Sequence, residues 1–174
     1  MSKSTLDDLK NRRSIRAYKP DQIKDEELDA ILEAGTWAPT GMGSQGALIV
    51  AVQNKETIAA IEKLNAAVLN NPAAKPFYGA PTVLNIFVDT SKSTPIENGN
   101  LVIGNILNAA YAVGVGSCYI YRAKEVFSSA DGKALAGKWG VPDTYTAVGH
   151  VILGYAAESP APKPRKQGYV IKIK

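Results

Sequence analysis

The sequence predicts helices on both faces of a sheet, an α+β (or α/β) fold in three layers. Three observations carry that expectation. Two largely apolar runs, PTVLNIFVD over 81–89 and YTAVGHVILGY over 145–155, are bounded by turn formers, as buried strands are. Between such runs lie stretches whose apolar residues recur at helical spacing. The 174 residues are 45% hydrophobic and 21% charged. That is an ordinary globular composition for a single domain, 1–174, able to bury a sizeable core. The pattern leaves strand order open.

Taken in order, Thr5 and Asp8 have capping-box spacing and Leu6 and Leu9 begin an apolar face. A short helix is expected over 5–12. Residues 14–18 should run extended, because Pro20 disfavours helix at Lys19. A second helix should start near Asp25, bury Leu28, Ile31, Leu32 and Gly35 on one face, and end before Pro39. Thr40 to Gly46 holds three glycines and reads as a flexible loop that lets backbone approach a ligand. A strand over 47–52 and an amphipathic helix over 56–69 follow, and Asn70-Asn71-Pro72 breaks the helix. Residues 97–113 form a helix that is apolar nearly all round. Such a helix is buried in a core or a subunit interface, and in a chain this small an interface share is favoured. Gly114 to Ser117 turns the chain into a strand at 118–121, and one helix loosened by Gly132 and Gly137 covers 123–139. The tail, 156–174, carries Pro160, Pro162 and Pro164 and then a β-like end at 169–174. It reads as an arm reaching across something.

The densest chemical feature is Arg12-Arg13-Ser14-Ile15-Arg16. Three guanidinium forks and a hydroxyl within five residues can grip a phosphate monoester. The plain alternative is a solvated basic patch, or cations favourable to a helix C-terminus. Net charge is +4 and the pI about 9.1, with the positive charge concentrated at the two ends of the chain. No aromatic-interleaved basic stripe is present, so an anionic small molecule is expected rather than nucleic acid.

The single cysteine, Cys118, excludes an internal disulfide and a multi-cysteine metal site. The single histidine, His150, argues against a His-based metal site and a hydrolase triad. No metal is expected. Cys118 is expected to be buried, and His150 to be a hydrogen-bonded core or interface residue. Trp37 and Trp139 read as core or interface packing. Gly114 and Gly116 follow a helix rather than a strand, which is the wrong order for a dinucleotide fingerprint. MSKSTLDDLK lacks an apolar h-region and no run approaches a membrane span. A cytoplasmic protein with no membrane partner is expected.

Four stretches, in order, resemble the nitroreductase-like flavoproteins. They are Arg12-Arg13-Ser14-Ile15-Arg16-Ala17-Tyr18, then Ala38-Pro39-Thr40-Gly41-Met42-Gly43-Ser44-Gln45, then the glycine-serine-cysteine strand entry from Gly114 to Ile120, then Gly154-Tyr155 with Pro164-Arg165-Lys166. Together they span nearly the whole chain. The resemblance implies a mostly antiparallel central sheet wrapped by helices, and an intertwined homodimer with swapped terminal arms and FMN at each subunit interface. It implies ping-pong hydride transfer from NADH or NADPH to FMN and on to a nitroaromatic, quinone or similar small-molecule acceptor.

Carried over residue by residue, Arg12, Arg13, Ser14 and Arg16 would bind the FMN phosphate, ribityl chain and pyrimidine edge. Arg165, with Lys163 or Lys166, would close on the phosphate from the other end of the chain. Pro39, Thr40, Gly41, Gly43 and Gln45 would come from the neighbouring subunit and lie along the flavin. Asn65, with Asn70 and Asn71 as competitors, would contact the pyrimidine side. Tyr119, Ile120 and Tyr121 would pass beside the ring, with a backbone N–H near Tyr121 close to N5. No protein side chain is expected to act as a catalytic acid or base, because the flavin carries the redox chemistry. Two departures stand out. The family has Asn where this chain has Gly43, and Pro-Trp where it has Gly46-Ala47. The alternative reading is a flavin-binding carrier or sensor of the same fold without nicotinamide turnover. A branch handling flavin or a cobalamin precursor, or removing halogen, is a weaker reading; dehalogenating members are usually longer with a lid, and the brief segment between Asn70 and Pro81 argues mildly against that one.

Overall fold

The sheet grows outward from β2 (Thr82–Asp89) and β4 (Tyr145–Gly154), the two runs whose residues are apolar on both faces. They pair antiparallel, Val83 opposite Ile152 and Asn85 opposite His150, with a bulge between Ile86 and Phe87. The outer strands are β1 (Ala47–Val52) on β2 and β3 (Gly116–Ile120) on β4, both antiparallel. The order is β1-β2-β4-β3, so β1 and β3 are the two edges. The fold is described for residues 5–174 by a computed structural model.

Alternation along β2 divides the core. Val83 and Phe87 face a cluster with Ile58, Ile61, Ile120, Val126 and Phe127. Leu84, Ile86 and Val88 face a second cluster with Leu28, Ile31, Val102, Ile103 and Ile106. One face is covered by α2 (Asp25–Thr36) and α4 (Pro95–Ala112). The other carries α3 (Lys55–Val68), α5 (Ala123–Ser128) and α6 (Ala130–Lys138). This is an α+β sandwich of helices, antiparallel sheet and helices, as the sequence predicts.

Several expectations are corrected. The helix expected over 123–139 is two helices. The break falls at Ser129, not at a glycine: Ser129 is extended (φ −69°, ψ 159°), and its Oγ accepts from Gly132 N at 3.1 Å. Gly132 is needed for a different reason. A Cβ there would lie 2.0 Å from the Val126 carbonyl oxygen, so only glycine lets α6 start this close to α5.

The first helix, α1 (Thr5–Asn11), already includes Thr5, so Thr5 is not the capping residue its spacing with Asp8 predicts. The position before it lies in residues 1–4, outside the described residues, as does the start of the segment read for a targeting peptide. Leu6 (64%) and Leu9 (54%) are exposed, so the apolar face of α1 is not covered by this chain. Leu101 on α4 (47%) also faces outward. The all-round apolar α4 is thus buried on one side only. The 169–174 segment forms no strand, since no strand among the described residues pairs with it, and its Tyr169, Val170, Ile171 and Ile173 are exposed. Trp139 packs edge-on to Phe127, centroids 5.8 Å apart, whereas Trp37 is 77% exposed. No helix among the described residues is long and apolar enough to cross a membrane.

Candidate functional site

The segment after α1 is drawn along the β3 edge by backbone pairing. Ser14 bridges Ser117 in parallel, and Ile15 N donates to Ser117 O at 3.0 Å. The chain leaving β4 then runs antiparallel to the same segment. Lys19 N donates to Tyr155 O and Ala157 N to Ala17 O, both at 2.9 Å. Arg16 N donates to the Glu158 carboxylate. These bonds turn the proline-rich tail back over the arginines. Arg12, Arg13, Ser14 and Arg16 therefore share one cleft, of about 1050 Å³, with Lys163 and Arg165. The two ends of the chain meet there. Lys166 is exposed and does not line the cleft.

Inside the cleft, Arg13 folds back on α1. Its Nη1 donates to the carbonyls of Lys10 (2.8 Å) and Arg12 (2.7 Å). Arg13 Nε and Arg12 Nη1 are nevertheless buried without a hydrogen-bond partner, as is Ser117 Oγ in the adjoining cavity of about 450 Å³. A buried donor left unpaired costs about 1–3 kcal/mol. Two of them on adjacent arginines, with no carboxylate in ion-pair contact among the described residues, suit an added anion that accepts from both. Arg165 is less committed. It is exposed, and its Nε and Nη2 reach only the Lys163 carbonyl (3.3 and 2.7 Å). Such a donor set is chemically able to grip a phosphate group.

The glycine loop lies elsewhere. Gly41–Gly43 forms a 3-10 turn, and Asn98 Oδ1 anchors it by accepting from Gly41 N at 2.9 Å. Thr40 Oγ1 accepts from Gln45 N at 3.0 Å, and Gln45 and Gly43 are left-handed, at φ 48° and 63°. Pro39 and Gln45 are exposed. The loop feeds β1, three strand spacings from β3, roughly 14 Å across the sheet. In one chain the loop and the arginine cleft are not brought together.

Asn65 is fully buried and its amide is engaged at both ends. Nδ2 donates to Tyr121 O at 2.9 Å, and Oδ1 accepts from Arg122 Nε at 3.0 Å. It holds the exit of β3 rather than presenting a free amide. Asn70 is left-handed and exposed, as Asn71 is exposed. Tyr119 turns into the α4 side, where its OH donates to Val148 O at 3.2 Å. Ile120 is buried on the other face, and Tyr121, 64% exposed, points outward.

Cys118 is buried, and burial above all pushes its thiol up, with Arg16 and the Ser14 hydroxyl pulling the other way. It behaves as a packed small side chain. Among the described residues no His, Cys, Asp or Glu group is placed to hold a metal ion. Three contributors escaped sequence reasoning: Glu158, Ser117 and Arg122. Only the fold brings Glu158 to Arg16. Nothing in the local sequence marks Arg122 as left-handed.

Comparison with known proteins bears on this geometry. The model of the Nitroreductase family matches residues 9–155. A protein of Archaeoglobus fulgidus, provisionally named NADH dehydrogenase/NAD(P)H nitroreductase, is 29% identical over 165 residues, 91% of this chain and 85% of the relative. A Bacteroides fragilis nitroreductase solved with bound FMN superposes with a TM-score of 0.89 at 27% identity, covering 99% of this chain and 100% of the other. A nitroreductase with bound FMN from Desulfitobacterium hafniense does so with a TM-score of 0.89 at 25% identity, covering both chains fully.

Proposed function

The chain belongs to the nitroreductase family, and from that premise we propose that it is an FMN-dependent NAD(P)H oxidoreductase working by a ping-pong route. The acceptor class is a nitroaromatic, quinone or similar electron-poor small molecule. The observation that carries this reading is the pair of unpartnered donors, Arg12 Nη1 and Arg13 Nε, in a cleft closed by Arg165 from the far end of the chain. The residues present fit FMN. Arg12, Arg13, Ser14 and Arg16 would take its phosphate end, and Lys163 and Arg165 would close over it, with Lys166 just outside the cleft. The bound flavin supplies hydride acceptance and donation. The chain's own part is to hold the phosphate, lay the open edge of β3 beside the ring and exclude water.

Pro39, Thr40, Gly41, Gly43 and Gln45 stand at the opposite edge of the sheet, so we assign them to the flavin of a second copy. A homodimer is supported by the uncovered apolar surface on Leu6, Leu9 and Leu101 and on the arm, 156–174. Residues 1–174 then act as one FMN-binding unit. A cytoplasmic location fits the lone buried Cys118. Initial rates with nicotinamide and acceptor both varied test the route. Parallel double-reciprocal lines are expected, and lines that intersect would rule the ping-pong route out.

A further inference from the structure

Arg122 is what Asn65 holds. Its backbone is left-handed (φ 78°, ψ 10°), a conformation unfavourable for a non-glycine residue. Its carbonyl accepts from Val126 N at 3.0 Å, which starts α5. Its Nε is fixed on Asn65 Oδ1 at 3.0 Å, and Asn65 has no exposed surface. The rest of this half-buried guanidinium has neither a hydrogen-bond partner nor a carboxylate within ion-pair distance among the described residues. It is a cation anchored at one end and open at its fork. A half-buried charge is costly until an electron-rich group meets it.

The place of Arg122 in the chain narrows the partner. β3 is a sheet edge, and its outer side is bridged only at Ser14–Ser117 among the described residues. From Cys118 to Ile120 the backbone groups on that side have no neighbouring strand. The phosphate cleft stands at the start of this open edge and Arg122 just beyond its end. Ser117 and Arg122 are five steps apart along the chain, about 16 Å at a strand's rise, on the order of an extended flavin mononucleotide.

We propose that Arg122, anchored by Asn65, meets the electron-rich carbonyl edge of the FMN ring and favours the reduced cofactor. This deepens the FMN reading above and rests on it. Reduction adds negative charge to the ring, and a fixed cation in a partly desolvated position stabilises the more negative form more than the oxidised one. Asn65 is thereby a positioning residue for Arg122.

The test compares wild-type holoprotein with Arg122→Gly and Arg122→Gln, each loaded with FMN, by spectroelectrochemical titration. Glycine suits the left-handed backbone, which offsets the hydrogen bond lost from buried Asn65, so Arg122→Gly should still fold in the apo form and melt within several degrees of wild type. Glutamine is the second neutral variant should the first not fold. The expected result for both is a loss of about ten-fold or more in affinity for reduced over oxidised FMN, a midpoint ~30 mV or more lower for a two-electron couple. Stoichiometric FMN in both variants with that ratio within about two-fold of wild type would overturn the proposal. A wild-type protein that takes up no FMN would overturn the FMN reading and this assignment together, and is recognised by the absence of any flavin to titrate.

Discussion

Asn85 and His150 face each other across β2 and β4, with Oδ1 2.8 Å from Nδ1 and neither side chain exposed. Asn85 Nδ2 donates to Val50 O at 3.4 Å, which leaves Oδ1 as the atom facing the imidazole and places the ring proton on Nδ1. Phe77 and Phe127 pack beside the ring, centroids 5.2 and 5.8 Å away, and Nε2 has no partner. Burial above all, helped by Arg122, lowers the His150 pKa to about 3.

The sign of the stability effect follows from that depression. Above pH 6.5, the ordinary value, His150 is neutral folded and unfolded. Between 6.5 and about 3 the unfolded chain binds a proton that the folded chain refuses. Stability therefore falls as pH drops through this window, by up to about 1.4 kcal/mol per pH unit. Urea unfolding of wild type and His150→Gln across pH 7 to 4 checks it. The variant should lose most of this slope, and equal slopes would show that His150 does not titrate this way.

Gly132→Ala should destabilise strongly, because the new Cβ would meet the Val126 carbonyl oxygen at 2.0 Å and backbone must move. A loss above about 2 kcal/mol is expected, seen as a melting temperature lower by several degrees. Gly137→Ala is the control. A Cβ there meets nothing within 4 Å, and alanine in a helix gains up to about 1 kcal/mol. Equal melting temperatures for the two variants would refute the close α5–α6 approach.

Arg12→Ala should weaken FMN binding by roughly 1.5–3 kcal/mol, about 10- to 150-fold in Kd, if a charge-assisted pair to phosphate is lost. Arg165→Ala should weaken it in the same direction. Lys166→Ala should have a smaller effect, since Lys166 does not line the cleft. Fluorescence titration of apoprotein with FMN reads all three, and an unchanged Kd for Arg12→Ala would remove that residue from the clamp.

Ending the chain after Glu158 keeps the Arg16–Glu158 contact but removes Lys163 and Arg165 from the cleft. Sedimentation and FMN occupancy should both fall. A truncated protein that stays dimeric and fully loaded would show that the arm serves neither purpose.

Much of this was legible in the sequence because the deciding signals are local. β1, β2 and β4 announce themselves as apolar runs between turn formers, and α2 and α3 as 3.6-residue patterns. Arg12 to Arg16 is dense enough to draw attention, but alone it reads equally as a solvated basic patch, and only the three other family-like stretches tip it toward a site. What escaped is set by tertiary contact. The pattern shows that Leu6 and Leu9 form a face, not what covers it. Ser129 broke a helix through its own capping bond, while Gly132, the residue that looked like the breaker, is there to avoid a clash. Asn65 could be recognised as important, but only the fold shows its amide committed to Tyr121 and Arg122.

The measurement closest to the central claim is the visible spectrum of the purified protein, reconstituted with FMN and then given NADH or NADPH without oxygen. A yellow protein whose flavin absorbance bleaches rapidly is the expected result. A protein that stays colourless after FMN is supplied, or a flavin spectrum that neither nicotinamide changes, would contradict it.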